Sequence, residues 1–181
     1  MPEPSASEVV TFWQDAGPEK WFAKDDGFDA GIRQRFLGLW QSAAEGRLSG
    51  WETRAESTLG LLILLDQFPR NMFRGTARAF ASDRLARDIA NRAIARGFDQ
   101  SVSAELRPFF YLPLEHSETL ADQERSLALF QALGDPENLK FARHHRDIIA
   151  RFGRFPHRNA ILGRESTPEE LAFLEEDDFR G

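Results

Sequence analysis

Residues 143–164 hold three of the chain's four histidines and six arginines, against one acid, Asp147. Their formal charge is +5, in a chain whose total is −6. Guanidinium groups grip carboxylates and phosphates in a planar fork, and imidazoles exchange protons near neutral pH. The pattern therefore points to anion recognition or acid–base chemistry. Arg146, Arg154, Arg158 and Asn159 are candidate ligand-binding groups here, and His145 and His157 are candidate acid–base groups. Helical geometry separates His145 from His144, so His144 is read as a surface residue.

A second cluster follows the most apolar run of the chain. Asp66 and Gln67 close that run, and Arg70, Asn71, Arg74 and Arg78 come next. A carboxylate in apolar surroundings is costly unless it is paired. The cluster reads either as a loop latched by an Asp–Arg pair or as an anion site built from Asp66, Arg70, Asn71 and Arg74. The three arginines are spaced by four, but Pro69 and Gly75 argue against one continuous helix.

The third cluster is Glu115, His116, Glu118 and Asp122. On a helix, its three carboxylates would share one face. They read as a solvated face, as partners for the basic segment, or as metal ligands, with Glu118 and Asp66 joining a histidine. In an enzyme, His116, His145 or His157 would act as acid or base, with Glu115 or Glu118 orienting it. No metal site is assigned, because the paired helix-face histidines of a His-Glu-x-x-His motif are missing. The chain has no cysteine, which excludes disulfides and thiolate catalysis. It has no glycine-rich phosphate loop, and Ser117 is too close to His116 in sequence for a catalytic triad. No cofactor or oligomeric state is assigned.

The elements that must position these residues are helical. Ser5 and Glu8 form a capping box, and Gly17-Pro18 stops the helix that follows. Phe28, Ile32, Phe36, Leu39, Trp40 and Ala43 recur at helical spacing up to Gly46. Leu59 to Phe68 is rich in leucine rather than β-branched residues and is predicted to be a buried helix. Further helices are predicted from Ser82-Asp83 to Gly97, over Glu105–Leu112, over Glu118–Leu133, from Asp135-Pro136 to Phe152, from Pro156 through Leu162, and from Thr167-Pro168 onward. On the helix from Asp135, Phe141, His145, Ile148 and Phe152 are expected on one apolar face. Sixteen phenylalanines against one tyrosine suit helix–helix interfaces. The expectation is one all-α domain over residues 1–181, with about eight or nine helices in antiparallel pairs and a frayed tail from about residue 176. The N-terminus has neither a basic nor an apolar signal region, and Leu59 to Leu65 is far short of the roughly 18 residues of a membrane span. A cytoplasmic protein without a membrane partner is expected. Net acidity weighs against nucleic-acid binding.

Several strings together resemble bacterial domain-of-unknown-function family 924. They are Leu64 to Asn71 with Phe73 to Ala77, Leu112 to Glu118, His145 to Asn159, and Leu162 to Glu170. The resemblance spans nearly the whole chain. It implies a compact, tetratricopeptide-like right-handed superhelix and no established activity. His144 lies outside the matching strings, and Pro108 stands where an ordinary helix former is expected.

Three readings compete. The favoured one is a binding protein that offers Arg70, Arg74, Arg146, Arg154 and Arg158 to an anionic small molecule or acidic peptide. The second is a hydrolase- or lyase-type enzyme with a His/Glu acid–base pair. The third is a protein-interaction scaffold whose charged clusters pair internally.

Overall fold

The computed structural model describes residues 4–176, and no strand occurs among them. Of the tail expected to fray from about residue 176, Glu176 ends a helix and the residues beyond it lie outside the described residues. The chain forms two compact units, one of residues up to 74 with 78–113, the other of residues 75–77 with those from 114 on.

In the first unit, α1 (Ala6–Ala16) starts at the expected capping box. Ser5 Oγ accepts the Glu8 amide at 3.3 Å, and the Ser5 amide donates to Glu8 Oε2 at 2.7 Å. A short α2 (Pro18–Trp21) and the long α3 (Asp26–Ala44) follow. α3 buries Ile32, Phe36, Leu39, Trp40 and Ala43, as the helical spacing requires. Trp13 is fully buried at the centre of an aromatic core and meets the rings of Trp21, Phe28, Phe68 and Phe109. Gly60 lets α1 and α4 (Ala55–Leu62) close up, since a Cβ there would stand 2.8 Å from the Ala6 carbonyl oxygen.

The buried run is helical, but not uniformly so. α4 passes through a π turn at Ile63–Gln67 into α5 (Phe68–Met72), and the Phe68 amide donates to Ile63 O, five residues back. Proline explains the break. Pro69 has no N–H to offer Leu65 O and would clash with it in an α-helix. Ser82 Oγ donates to that carbonyl instead, at 2.5 Å, and accepts Trp40 Nε1 at 3.1 Å. Ser82, expected as the opener of α6 (Asp83–Ala95), therefore has its side chain engaged across the core and makes no side-chain cap. Helix α6 buries Ala86, Ile89, Ala90 and Ala93.

α7 covers Pro108–Glu115, later than the sequence suggested, with Pro108 in the first turn where its missing N–H costs nothing. In the second unit, α8 (Leu120–Leu133) and α9 (Pro136–Phe152) pack together, joined by Gly134 and Asp135. Asp135 Oδ1 accepts the amides of Glu137 and Asn138 and so caps α9. Because α8 begins only at Leu120, Glu118 lies in the connection before it. The expected stripe of three carboxylates on one helix does not form: Glu115 ends α7 and Asp122 sits in the first turn of α8. The buried face of α9 is Ala142, His145, Ile148 and Ile149. Phe141 is 52% exposed and does not belong to it. Ile148, Ile149 and Phe155 form a small core with Phe152 and Phe173 packed against it. The segment after Gly153 makes one 3₁₀ turn, Pro156–Arg158, rather than a helix through Leu162. Thr167 opens α10 (Pro168–Glu176) with a reciprocal cap, exchanging hydrogen bonds with Glu170.

Candidate functional site

In the first unit, the π turn brings Asp66 and Gln67 into the interior, 1% and 5% exposed. Gln67 Nε2 donates to Asp66 Oδ2 at 2.6 Å. Arg70 reaches Asp66 Oδ1 at 3.3 Å and forks onto both oxygens of Asp83 at 2.9 and 3.0 Å. Asn71 donates to Asp29 Oδ1 at 2.8 Å, and Arg74 grips both oxygens of the same carboxylate. The Arg78 guanidinium lies over Phe73, 4.2 Å from the ring centre, and over Trp40. The three arginines thus go to three different partners, because α5 ends at Met72 and Gly75 turns the chain in the left-handed region (φ 72°). Asn71 and Arg74, with Lys24, Asp26 and Arg33, line a cavity of about 390 Å³.

In the second unit, Glu115 and His145 meet. His145 Nδ1 lies 3.1 Å from Glu115 Oε1 and 2.9 Å from Phe141 O. Both neighbours are acceptors, so Nδ1 carries the proton and Nε2 is the basic nitrogen. Burial, together with positive charge from His116 and Arg158, holds His145 well below the usual imidazole range. It is therefore neutral at pH 7. The His116 ring is centred 6.3 Å away and is also buried. Arg158, 6% exposed, donates to His116 O at 3.1 Å and lies over the Phe155 ring at 4.5 Å. The His157 ring is centred 5.5 Å from that of Phe155. Gln123 Nε2 fixes the turn by donating to Glu115 O and Ser117 O.

Several other charges of this unit pair with one another. Arg164 forks onto Glu118 at 2.7 and 2.9 Å, and Glu118 also accepts the Phe155 amide at 2.8 Å. Burial works to raise the Glu118 carboxyl, but these donors outweigh it and leave it below its ordinary value. Arg154 forks onto Glu170 at 2.6 and 2.8 Å and, with the Thr167 amide, pushes its carboxyl down to about 2. Asn159 donates to Ser166 and Glu170 and accepts from Arg164. Arg146 Nε lies 2.9 Å from the half-exposed Asp147.

Asp29, Asp83, Arg164 and Glu170 are the partners that the sequence did not single out as site residues. A position like Asp29, some 40 residues from the groups it holds, gives no local signal; Arg164 and Glu170 stood within the last family-like string.

The model of a bacterial protein family of unknown function, DUF924, matches residues 9–178. The chain belongs to this family. It is also similar to a solved structure of a protein of unknown function, ATU0120, from Agrobacterium tumefaciens. The two share 55% identity, with 95% of this chain and 97% of that one covered and a TM-score of 0.93. No curated protein matches. This DUF924 member is thus placed by fold and descent, while its chemistry has to be argued from its own residues.

Proposed function

We propose that this protein is an acid–base enzyme, of hydrolase or lyase type, acting on a small anionic substrate. The observation that carries this reading is the 3.1 Å approach of Glu115 to His145 Nδ1, both side chains buried. A carboxylate on Nδ1 fixes the tautomer and ring orientation and leaves Nε2 to take a proton. Arg158, beside both His116 and Phe155, is the cation suited to an anionic substrate group. Arg70, Arg74, Arg146 and Arg154 each already meet a carboxylate, which weakens an arginine-lined cleft as the primary site.

The test is turnover of chromogenic esters, amides and phosphoesters by the parent protein, His145→Gln and Glu115→Gln, with folding checked by circular dichroism. A positioned acid or base contributes on the order of 100-fold or more. Both variants should therefore lose activity by at least about that factor on any substrate turned over. Equal rates for all three proteins on every substrate would sink the reading.

A second reading, capture of an anion without chemistry, is favoured by one feature: Lys24, Arg33 and Arg74 line the same cavity as Asn71. Calorimetric titration with inorganic phosphate and phosphorylated metabolites tests it. Binding weakened by Lys24→Gln supports it; silence across the panel removes it.

A further inference from the structure

A separate cavity in the first unit, about 470 Å³, lies on α1, α2 and α3. That volume falls in the range of small-molecule sites, roughly 300–1,000 Å³. Its apolar surface comes from Phe12 and Phe28, whose rings are stacked 5.6 Å apart and almost parallel. Four charged side chains surround them: Glu8, Asp15, Lys20 and Arg35. Formally these cancel, so the cavity has no preference for an anion or a cation as such.

The four differ in how firmly they are held. Glu8 is committed to the cap of α1, accepting from the Ser5 amide at 2.7 Å and lying 3.8 Å from Arg35. Arg35 lies over the Phe12 and Phe36 rings. Lys20 stands 5.6 Å from the Phe28 centroid and only grazes Asp25, at 4.0 Å. Asp15 makes no hydrogen bond or ion pair with any described residue. On α1, Asp15 follows Phe12 by three residues, so the two share a face. The cavity therefore has a carboxylate and an ammonium at the end where α1 passes into α2, next to an aromatic surface.

We propose that this cavity binds a free α-amino acid with an aromatic side chain. The ligand's ammonium meets Asp15 and its carboxylate meets Lys20. Its side chain rests against Phe12 and Phe28, where aromatic pairs favour offset or edge contact. This site is independent of the Glu115–His145 pair and of the reading built on it.

The test is calorimetric titration of the full chain with L-phenylalanine, N-acetyl-L-phenylalanine and L-phenylalaninamide. Phenylalanine should bind one to one. Either blocked analogue should bind at least about tenfold more weakly, since each loses one charged partner. In Asp15→Asn, an exposed substitution that leaves the core alone, phenylalanine should weaken similarly and the penalty for N-acetylation should shrink. No heat with phenylalanine at millimolar concentration would overturn the proposal, as would equal binding of all three compounds or an Asp15→Asn titration identical to the parent's.

Discussion

His145 is pulled in two directions. Burial, His116, Arg158 and His144 oppose its protonation, while the Phe141 carbonyl favours it; the net direction is downward from its ordinary value of 6.5. Above about pH 6.5 the ring is neutral in both folded and unfolded chains, and stability is unaffected. As pH falls below that value the unfolded chain takes up a proton that the folded chain resists, so stability falls. Urea midpoints should therefore drop between pH 7.5 and 5, and His145→Gln should flatten that slope. An unchanged slope in the variant would assign the effect elsewhere. Glu170 acts at lower pH. Its carboxyl is held at about 2 against an ordinary 4.5, so its contribution is complete above about 4.5 and is lost as pH falls toward 2. Glu170→Gln should cost about 2 kcal/mol at pH 7, typical of lost charged hydrogen bonds, and nothing near pH 2, as read from denaturant curves.

The contact between α1 and α4 depends on the absence of one side chain. Alanine at position 60 would gain about 1 kcal/mol of helix propensity over glycine. Its Cβ, however, would press on the Ala6 carbonyl, which belongs to backbone and yields poorly. Overpacking of this kind costs about 1–3 kcal/mol, so Gly60→Ala should lower the thermal midpoint by several degrees in a melting curve. A raised midpoint would show that α1 can retreat. Elements of this kind were legible wherever a local code existed. The box at Ser5 and Glu8, the Asp135-Pro136 start and the Thr167 start all stand where the sequence put them. The α8 start was not legible, because Glu118 has the look of a helix N-terminus but is engaged by Arg164 and the Phe155 amide. His145 could be placed on a buried face from spacing alone. That Glu115 would be its neighbour could not, since the two are 30 positions apart and meet only through the packing of the second unit.

Charge is uneven along the sequence, and within the second unit the basic run is partly offset. The basic run at 143–164 meets its answering acids at Glu118, Glu169 and Glu170. Heparin should therefore hold the protein weakly, with elution below about 0.15 M salt, because paired guanidinium groups release few counterions on binding a polyanion. Retention well above that concentration would mean that the arginines exchange partners readily. Membership of the DUF924 family accounts for the all-α architecture of this molecule, and the relative of 55% identity supplies no activity to inherit. No helix among the described residues is long and apolar enough to cross a membrane.

The π turn at Ile63–Gln67 works as a phase shifter. One additional residue in a helical turn rotates everything beyond it by about 100° relative to an uninterrupted α-helix. A helical wheel drawn from Leu59 to Met72 therefore assigns Arg70 and Asn71 to the wrong sides. Deleting a single residue from the turn would shift the register of everything beyond it by that angle, and so would swing Arg70 off Asp83 and Asn71 off Asp29 together. The polar cluster of the first unit thus depends on chain length at one point as much as on which residues stand there.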